Sequence, residues 1–394
     1  MITQFDSLFA GNVEMEDIGL AGTPVNDRRY PNEYLATGLA NTERMAKVMD
    51  REGYNLLWLA EHHFQHEGYE GIPNVPMLSV HLANVTERLR YGAAFNATTM
   101  WHPLRLAEDF ATADILTGGR VVFGVGRGYH VREVETFGSP LIDSDANREL
   151  FEEQVEIILK AFNEESFSHH GKHYDIPPKV PYRGYELENI TLVPRPINLP
   201  VETWQPIVSA NSRGLNFMAK HGIKGMVAGG VEGNHDTIVV WRDTLARHGK
   251  EAPLGGELTA GFGYFIADTE QKAIADAQLF FEESMKMFGP VGFVRGLTPE
   301  LIQAMGDRKR APVAGLPTLK DMVSMGAYLC GPPELIAEKL MDIQDRYPGL
   351  EQVHVNSPIC ATPMDILVEQ LEWFARDVMP AFKAQAPATA SVGD

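Results

Sequence analysis

The chain has 394 residues, 44% apolar and 22% charged, the balance of an ordinary globular protein. Its formal charge of −19 argues against nucleic acid or an anionic membrane as a partner, although a phosphate-bearing cofactor needs only local donors. Two cysteines, Cys330 and Cys360, are too few for a disulfide framework or a zinc site of their own, and no uncharged apolar run reaches membrane-spanning length.

The start, MITQFDSLFAG, lacks the basic and apolar regions of a signal peptide, so a cytoplasmic location is expected. Residues 2–10 read as a strand and 11–32, rich in Gly, Pro and Asp, as a loop. Residues 33–52 have a helical pattern closed by Gly53. Then Leu56, Leu57, Trp58 and Leu59 make the short apolar run of a strand buried on both faces, which stops abruptly in Glu61, His62 and His63. A loop over 65–74 leads to a helix over 76–86 and a strand over 89–96. Residues 103–117 are helical, with Pro103 at the first position, Leu106, Phe110, Ala113 and Leu116 on one face, and Gly118 and Gly119 at the end. The strand RVVFG (120–124) runs into VGRGY (125–129), and the following HVREVETFG is a poor helix start. Residues 146–162 are helical, and 167–198 look like an excursion, with a hairpin-like HHGKHYDI and many prolines.

A strand over 205–211 (QPIVSAN) ends in polar residues and is followed by a helix over 213–221 closed by Gly222. A brief strand over 224–228, a helix over 236–248, a strand over 257–267 alternating glycine with aromatics, and a helix over 269–287 come next. Residues 288–331 are irregular, rich in Gly and Pro and long enough to be a candidate lid. Helix, strand and helix over 332–347, 352–356 and 364–382 follow, with Pro380 disturbing the last turn and a flexible tail expected over 385–394. Strands alternate with helices throughout, which argues for a parallel sheet. Eight strands, starting near 2, 55, 89, 120, 205, 224, 257 and 352, fit an α/β fold of one closed (β/α)8 TIM barrel with insertions at about 11–32, 129–146, 166–204 and 288–331.

In such a barrel the catalytic groups sit where strands open onto the top face. Side chains alternate along a strand, so His62 and His63 serve different ends; His62 is assigned to the pocket and His63 to its support. Further along, Gly124, Gly126 and Gly128 flank Arg127 and precede Tyr129. The G-x-G-x-x-G dinucleotide fingerprint fails, because Tyr129 stands at the third glycine position. Small residues here would admit a flat ligand or a phosphate to the backbone, with Arg127 as a forked donor; the alternative is a glycine-rich turn with a solvated arginine. Ser209, Asn211, Ser212, Arg213 and Gly214 lie where a strand turns into a helix, which reads first as a simple N-cap and second as an anion site. Asn96 and Thr98 follow an apolar strand, where Asn96 either bonds a heterocycle edge or satisfies a loop. His62, His63, His66, His81 and His102 do not make a metal site by spacing, since H-x-H at a strand end and H-E-x-x-H on a helix are both missing from the sequence.

Five stretches coincide with one family: GYNLLWLAEHHF (53–64), WHPLRLAED (101–109), LTGGRVVFGVGRGY (116–129), VSANSRGLNFMAKHG (208–222) and EWFARDVMPAF (372–382). In them the sequence resembles the bacterial luciferase-like, flavin-dependent monooxygenases. The resemblance implies a TIM barrel whose late insertion folds over the mouth, where 288–331 falls. It implies reduced FMN supplied by a separate flavin reductase, or in some members the deazaflavin F420. It also implies reaction with O2, through a peroxyflavin, to oxygenate a carbonyl compound or hydroxylate another small organic substrate. His62 takes the place of the histidine implicated in acid/base chemistry beside the flavin, Arg127 that of an arginine on the phosphate, and 211–214 that of the second phosphate loop. Ala94 and Phe95 fall in a stretch under the flavin that often holds a bulge or a cis non-proline peptide. Gly126 departs from luciferase, which has a cysteine close to the flavin ring there, so light emission is not implied. An NAD(P)H site is not recognisable, and family habit suggests a homodimer. An F420-dependent oxidoreductase and a non-catalytic flavin-binding protein are the alternatives on this fold.

Overall fold

The computed structural model describes residues 1–294, 296–357 and 361–383; Cys360 and the tail expected over 385–394 lie outside them. Among the described residues, eight parallel strands close a ring: β1 (Gln4–Phe9), β2 (Leu56–Leu59), β3 (Arg90–Ala93), β4 (Val121–Gly126), β5 (Thr203–Pro206), β6 (Lys224–Val227), β7 (Leu258–Ile266) and, after a strand β8 (Tyr328–Gly331) outside the ring, β9 (Gln352–Asn356). β5 pairs with both β4 and β6, and β9 with both β7 and β1, which closes the barrel. All eight expected strands are these.

The alternation along β2 shows how the short apolar runs are used. Leu57 and Leu59 point outward into the core shared with the helices, while Leu56 and Trp58 point inward to join Val122, Trp204 and Met226. The interior admits these rings only where a neighbouring strand carries glycine. A Cβ at Gly92 would lie 2.4 Å from the Trp58 ring, and one at Gly261 would lie 1.9 Å from His354 Nε2. The glycine–aromatic alternation of β7 therefore sends its aromatics outward, Phe262 and Tyr264 among them, and leaves room inside.

Around the ring pack α1 (Thr37–Glu52), α2 (Val75–Ala83), α3 (Pro103–Leu116), α4 (Val131–Thr136), α5 (Ser144–Asn163), α6 (Ser212–His221), α7 (His235–Arg247), α8 (Glu270–Phe288), α9 (Pro333–Arg346) and α10 (Met364–Asp377). Gly53 and Gly222 end α1 and α6 in the left-handed conformation, at φ 83° and 67°. Three segments depart from the expected pattern. HVREVETFG does form a short helix, α4, because Glu133 and Val134 are buried by tertiary contacts. The strand expected over 205–211 sits earlier, at Thr203–Pro206, since Thr203 and Trp204 are buried while residues 208–212 are exposed. The stretch 288–331 is not simply irregular. It contains helices Pro299–Met305 and Leu319–Ser324 and the strand β8, and packs Met305, Leu316, Leu319 and Cys330 onto Phe281 and Met285 of α8.

The loop over 11–32 is tied down by one fully buried carboxylate. Glu283 on α8 accepts from Gly19 N (2.9 Å), Arg28 Nε (3.0 Å) and Tyr69 Oη (2.5 Å), with Lys286 Nζ at 2.7 Å. That set joins the N-terminal loop, the late helix and the loop that follows β2.

Inside the barrel, Asp6 accepts from Trp58 Nε1 (3.1 Å) and Asn55 Nδ2 (3.1 Å), yet burial pushes its carboxyl up to about 7. Burial pushes His354 the other way, to about 4. The raised Asp6 value means that the folded state prefers the neutral acid, so its favourable contribution is full below about 3.8 and lost as pH rises towards 7. Asp6→Asn keeps the shape without the charge. Its stability relative to the parent should therefore climb between pH 4 and pH 8, by at most on the order of 4 kcal/mol at roughly 1.4 kcal/mol per pH unit. A difference that does not change with pH in thermal melts would contradict this.

Candidate active site

Four consecutive strands of the ring, β2 to β5, end at one rim and carry the candidate residues: 61–63, 94–99, 126–129 and 209–214. A buried carboxylate fixes the first two ends to each other. Glu61 accepts from Ala97 N (2.9 Å), Trp101 Nε1 (2.7 Å) and His63 Nε2 (3.0 Å). His63 thus turns towards Glu61 and the ring of Phe137, 4.8 Å away, and stands apart from His62.

His62, 6% exposed, lies between two further carboxylates. Its Nδ1 is 3.3 Å from both oxygens of Glu133, and its Nε2 is 3.1 Å from Glu70 Oε1 and 3.0 Å from Tyr129 Oη. Gln65 Nε2 donates to Glu133 at 2.9 Å, and His130 Nε2 sits 3.1 Å from the other oxygen of Glu70. Burial works against a charged imidazole, but Glu70 and Glu133 outweigh it and hold His62 above its ordinary range. Burial likewise works against the Glu133 anion, and His62 outweighs it and holds Glu133 low. The two shifts favour a protonated imidazole against an ionised carboxylate, both shielded from water.

On the neighbouring stretch of rim the charge is reversed. Arg127 is half-buried and donates to Ser144 O at 3.3 Å; burial, then the charges of Arg148 and Arg213, with Glu152 opposing, press its guanidinium below the usual range. Arg148 Nη1 would lie 3.5 Å from a Cβ on Gly214, so it sits against the first turn of α6. Arg213 is held by Glu152 (3.1 and 2.6 Å), and Asn211 caps α6 by accepting from Gly214 N at 3.0 Å. The N-cap reading of Asn211 is therefore present in the structure, beside an accumulation of three guanidinium groups. Ser209 and Ser212 are exposed there.

The glycines make room for the chain itself. A Cβ at Gly124 would lie 1.8 Å from Ala93 O, one at Gly126 3.1 Å from Phe95 Cβ, and one at Gly128 2.4 Å from Val134, where φ is +75°. The space each leaves is filled by protein, namely the 93–97 segment and α4. In that segment the Ala94–Phe95 peptide is cis, and Asn96 donates through Nδ2 to Gly124 O (2.9 Å) while its buried Oδ1 has no hydrogen-bond partner among the described residues. The residues missing from the sequence reading are Glu70, His130, Glu133 and Arg148. Of these only His130, directly after the GRGY run, carried a positional signal.

The structure predicts how His62 titrates. In Glu133→Gln the imidazole loses one of its two carboxylates, and its pKa, followed by the Cε1 proton resonance, should fall. A titration midpoint that stays put would remove Glu133 from the account.

The chain matches the family model for luciferase-like monooxygenases over residues 22–348. It is 29% identical over 134 residues to the flavin-dependent trigonelline monooxygenase, oxygenase component, of Acinetobacter baylyi, a match covering 34% of this chain and 36% of that one. The matched stretches span less than half the length of the curated relatives. Among solved structures, the oxygenating constituent of 3,6-diketocamphane monooxygenase from Pseudomonas putida, in complex with FMN, superposes with TM-score 0.67 at 19% identity over 96% of this chain and 98% of that one. An F420-dependent secondary alcohol dehydrogenase superposes with TM-score 0.65 at 15% identity over 97% and 99%. At such identities the superpositions speak for the fold, and the family match for membership. The chain belongs to the luciferase-like monooxygenase family of oxidoreductases.

Proposed function

We propose that this enzyme is the oxygenase of a two-component system that uses reduced FMN, delivered by a separate reductase, and O2 to oxygenate a small organic substrate. One observation carries the reading. His62, just past β2, and Arg127, just past β4, stand at one rim, with Arg148 of α5 and Arg213 of α6 beside Arg127, and the Arg127–Tyr129 backbone and the Tyr129 hydroxyl join the two sides. Arg127, Arg148 and the first turn of α6 would hold the phosphate, and the segment 94–96 the ring system, with Asn96 Oδ1 awaiting a donor. When bound, the reduced flavin supplies the electrons that activate O2. The chain's own contribution is proton handling and exclusion of water. His62 would carry the proton on Nε2, and Glu70 and Glu133 favour its protonated form. The ring of Phe293, from the stretch after α8, lies 4.7 Å from that of Tyr129 and covers this side of the rim. The Acinetobacter baylyi relative, an oxygenase component by name, and the FMN complex of the Pseudomonas putida protein support the cofactor and the separate reductase.

Binding titrations with FMN, reduced FMN and F420 test the assignment. Arg127→Ala and Arg148→Ala should each weaken reduced FMN by about 1.5–3 kcal/mol, the size of a charge-assisted hydrogen bond. Unchanged dissociation constants would place the phosphate elsewhere, and tight F420 binding without FMN binding would favour the deazaflavin reading. If the stretch 288–331 acts as a lid, limited proteolysis within it should slow when reduced FMN is present; equal cutting rates would count against a lid.

A further inference from the structure

Donor atoms from two loops converge beside His62. Its Nε2 lies 3.1 Å from Glu70 Oε1 and 3.0 Å from Tyr129 Oη, Tyr129 Oη lies 3.0 Å from the same Glu70 oxygen, and His130 Nε2 lies 3.1 Å from Glu70 Oε2. One ligand atom from each of His62, Glu70 and His130 falls within 4.8 Å of the others. His62 and Glu70 are buried, and the His130 side chain is 13% exposed. Behind them His62 Nδ1 faces the Glu133 carboxylate at 3.3 Å, which Gln65 Nε2 holds in turn at 2.9 Å.

Two imidazole nitrogens and a carboxylate oxygen are the donor set that zinc and neighbouring first-row divalent ions prefer. A carboxylate behind a ligating imidazole is the usual outer partner, because it fixes the tautomer that leaves the other nitrogen free for the metal. Metal–ligand bonds of about 2.0–2.1 Å in a tetrahedron separate ligand atoms by about 3.4 Å. The His62–Glu70 and Glu70–His130 contacts, both 3.1 Å but made through different carboxylate oxygens, need to open by only a few tenths of an ångström, and the three ligand atoms, within 4.8 Å of one another, need to gather around one centre. Charge points the same way. Glu70 and Glu133 are two buried carboxylates, which the imidazoles balance only by taking up protons; one divalent cation balances both and leaves each imidazole neutral.

We infer that His62, Glu70 and His130 bind a divalent transition metal of the zinc type, with Glu133 supporting His62 from behind. The inference goes beyond the flavin reading and stands independently of it. It also has a consequence for that reading: the metal takes His62 Nε2, the atom that holds the proton, so metal and proton exclude each other and the metal-bound protein lacks this acid.

The full chain, stripped with a chelator and free of tag histidines, is titrated with Zn2+ by calorimetry and with Co2+ by visible absorption. The expected result is one Zn2+ per chain and the Co2+ bands of a four- or five-coordinate ion. Glu70→Gln and His130→Ala should each weaken Zn2+ at least tenfold, and so should His130→Asn, which retains a hydrogen-bonding side chain if the alanine variant fails to fold. Glu133→Gln should cost about 10–100-fold, while His170→Ala, which removes an exposed imidazole elsewhere, should change nothing. Zinc binding that is absent from the parent chain, or undiminished in Glu70→Gln and the His130 variants, overturns the inference. FMN titration of the same samples keeps the two readings apart: zinc binding without flavin binding would sink the flavin assignment alone, and flavin binding without zinc binding the metal site alone.

Discussion

A carboxylate removed from water must be surrounded by donors, and at the rim of this barrel Glu61 is where that requirement sets the geometry. It stands just past the end of β2, is 3% exposed, and draws in a backbone amide, an indole N–H and an imidazole from the surroundings. Two of those donors belong to the segment after β3, so the Glu61 anion holds neighbouring strand ends at a fixed separation. That segment then lies alongside β4, with Asn96 opposite Val125 and Ala97 opposite Gly126, and Thr98 and Thr99 donate to the carbonyls of Gly126 and Arg127. The loss of any of these donors would leave a buried charge or carbonyl unmatched, at a cost of about 1–3 kcal/mol or more. The placement of Arg127 and Tyr129 relative to His62 descends from this chain of contacts.

The rim so fixed is electrostatically divided. One side holds carboxylates alternating with imidazoles, where burial is tolerated because each anion has a cationic or hydrogen-bonding neighbour. The other gathers Arg127, Arg148 and Arg213 around the positive end of a helix. In a chain of net charge −19 such a local excess of positive charge is a directed feature, since the protein as a whole repels anions. An anionic, flat cofactor placed across the division would meet cations at its phosphate and a proton carrier at its other end, which is how family membership and this geometry agree.

Much of the frame was legible in the sequence because each barrel strand is a short apolar run ended by glycine or polar residues, and a parallel barrel needs little more. The caps at Gly53 and Gly222 were legible for the same local reason, the left-handed conformation each supplies. The separation of His62 from His63 followed from strand alternation continued one step into the loop. What escaped is tertiary. Glycines at 124, 126 and 128 announce a close approach without saying what approaches, and the answer is the protein's own 93–97 segment and Val134. Glu70, Glu133 and Arg148 each sit on a loop or helix whose sequence gives no cue that it faces the rim. The elements between 288 and 331 are shorter than the window in which periodicity is visible, so β8 and its two helices read as loop.

The central claim is that the guanidinium cluster and His62 face one bound cofactor. A crystal structure of the protein with reduced FMN tests it most directly. The account predicts the phosphate within hydrogen-bonding distance of Arg127 and Arg148 and the ring system within reach of His62. A flavin bound at another face of the barrel, or reversed so that its phosphate lies on the His62 side, would contradict it.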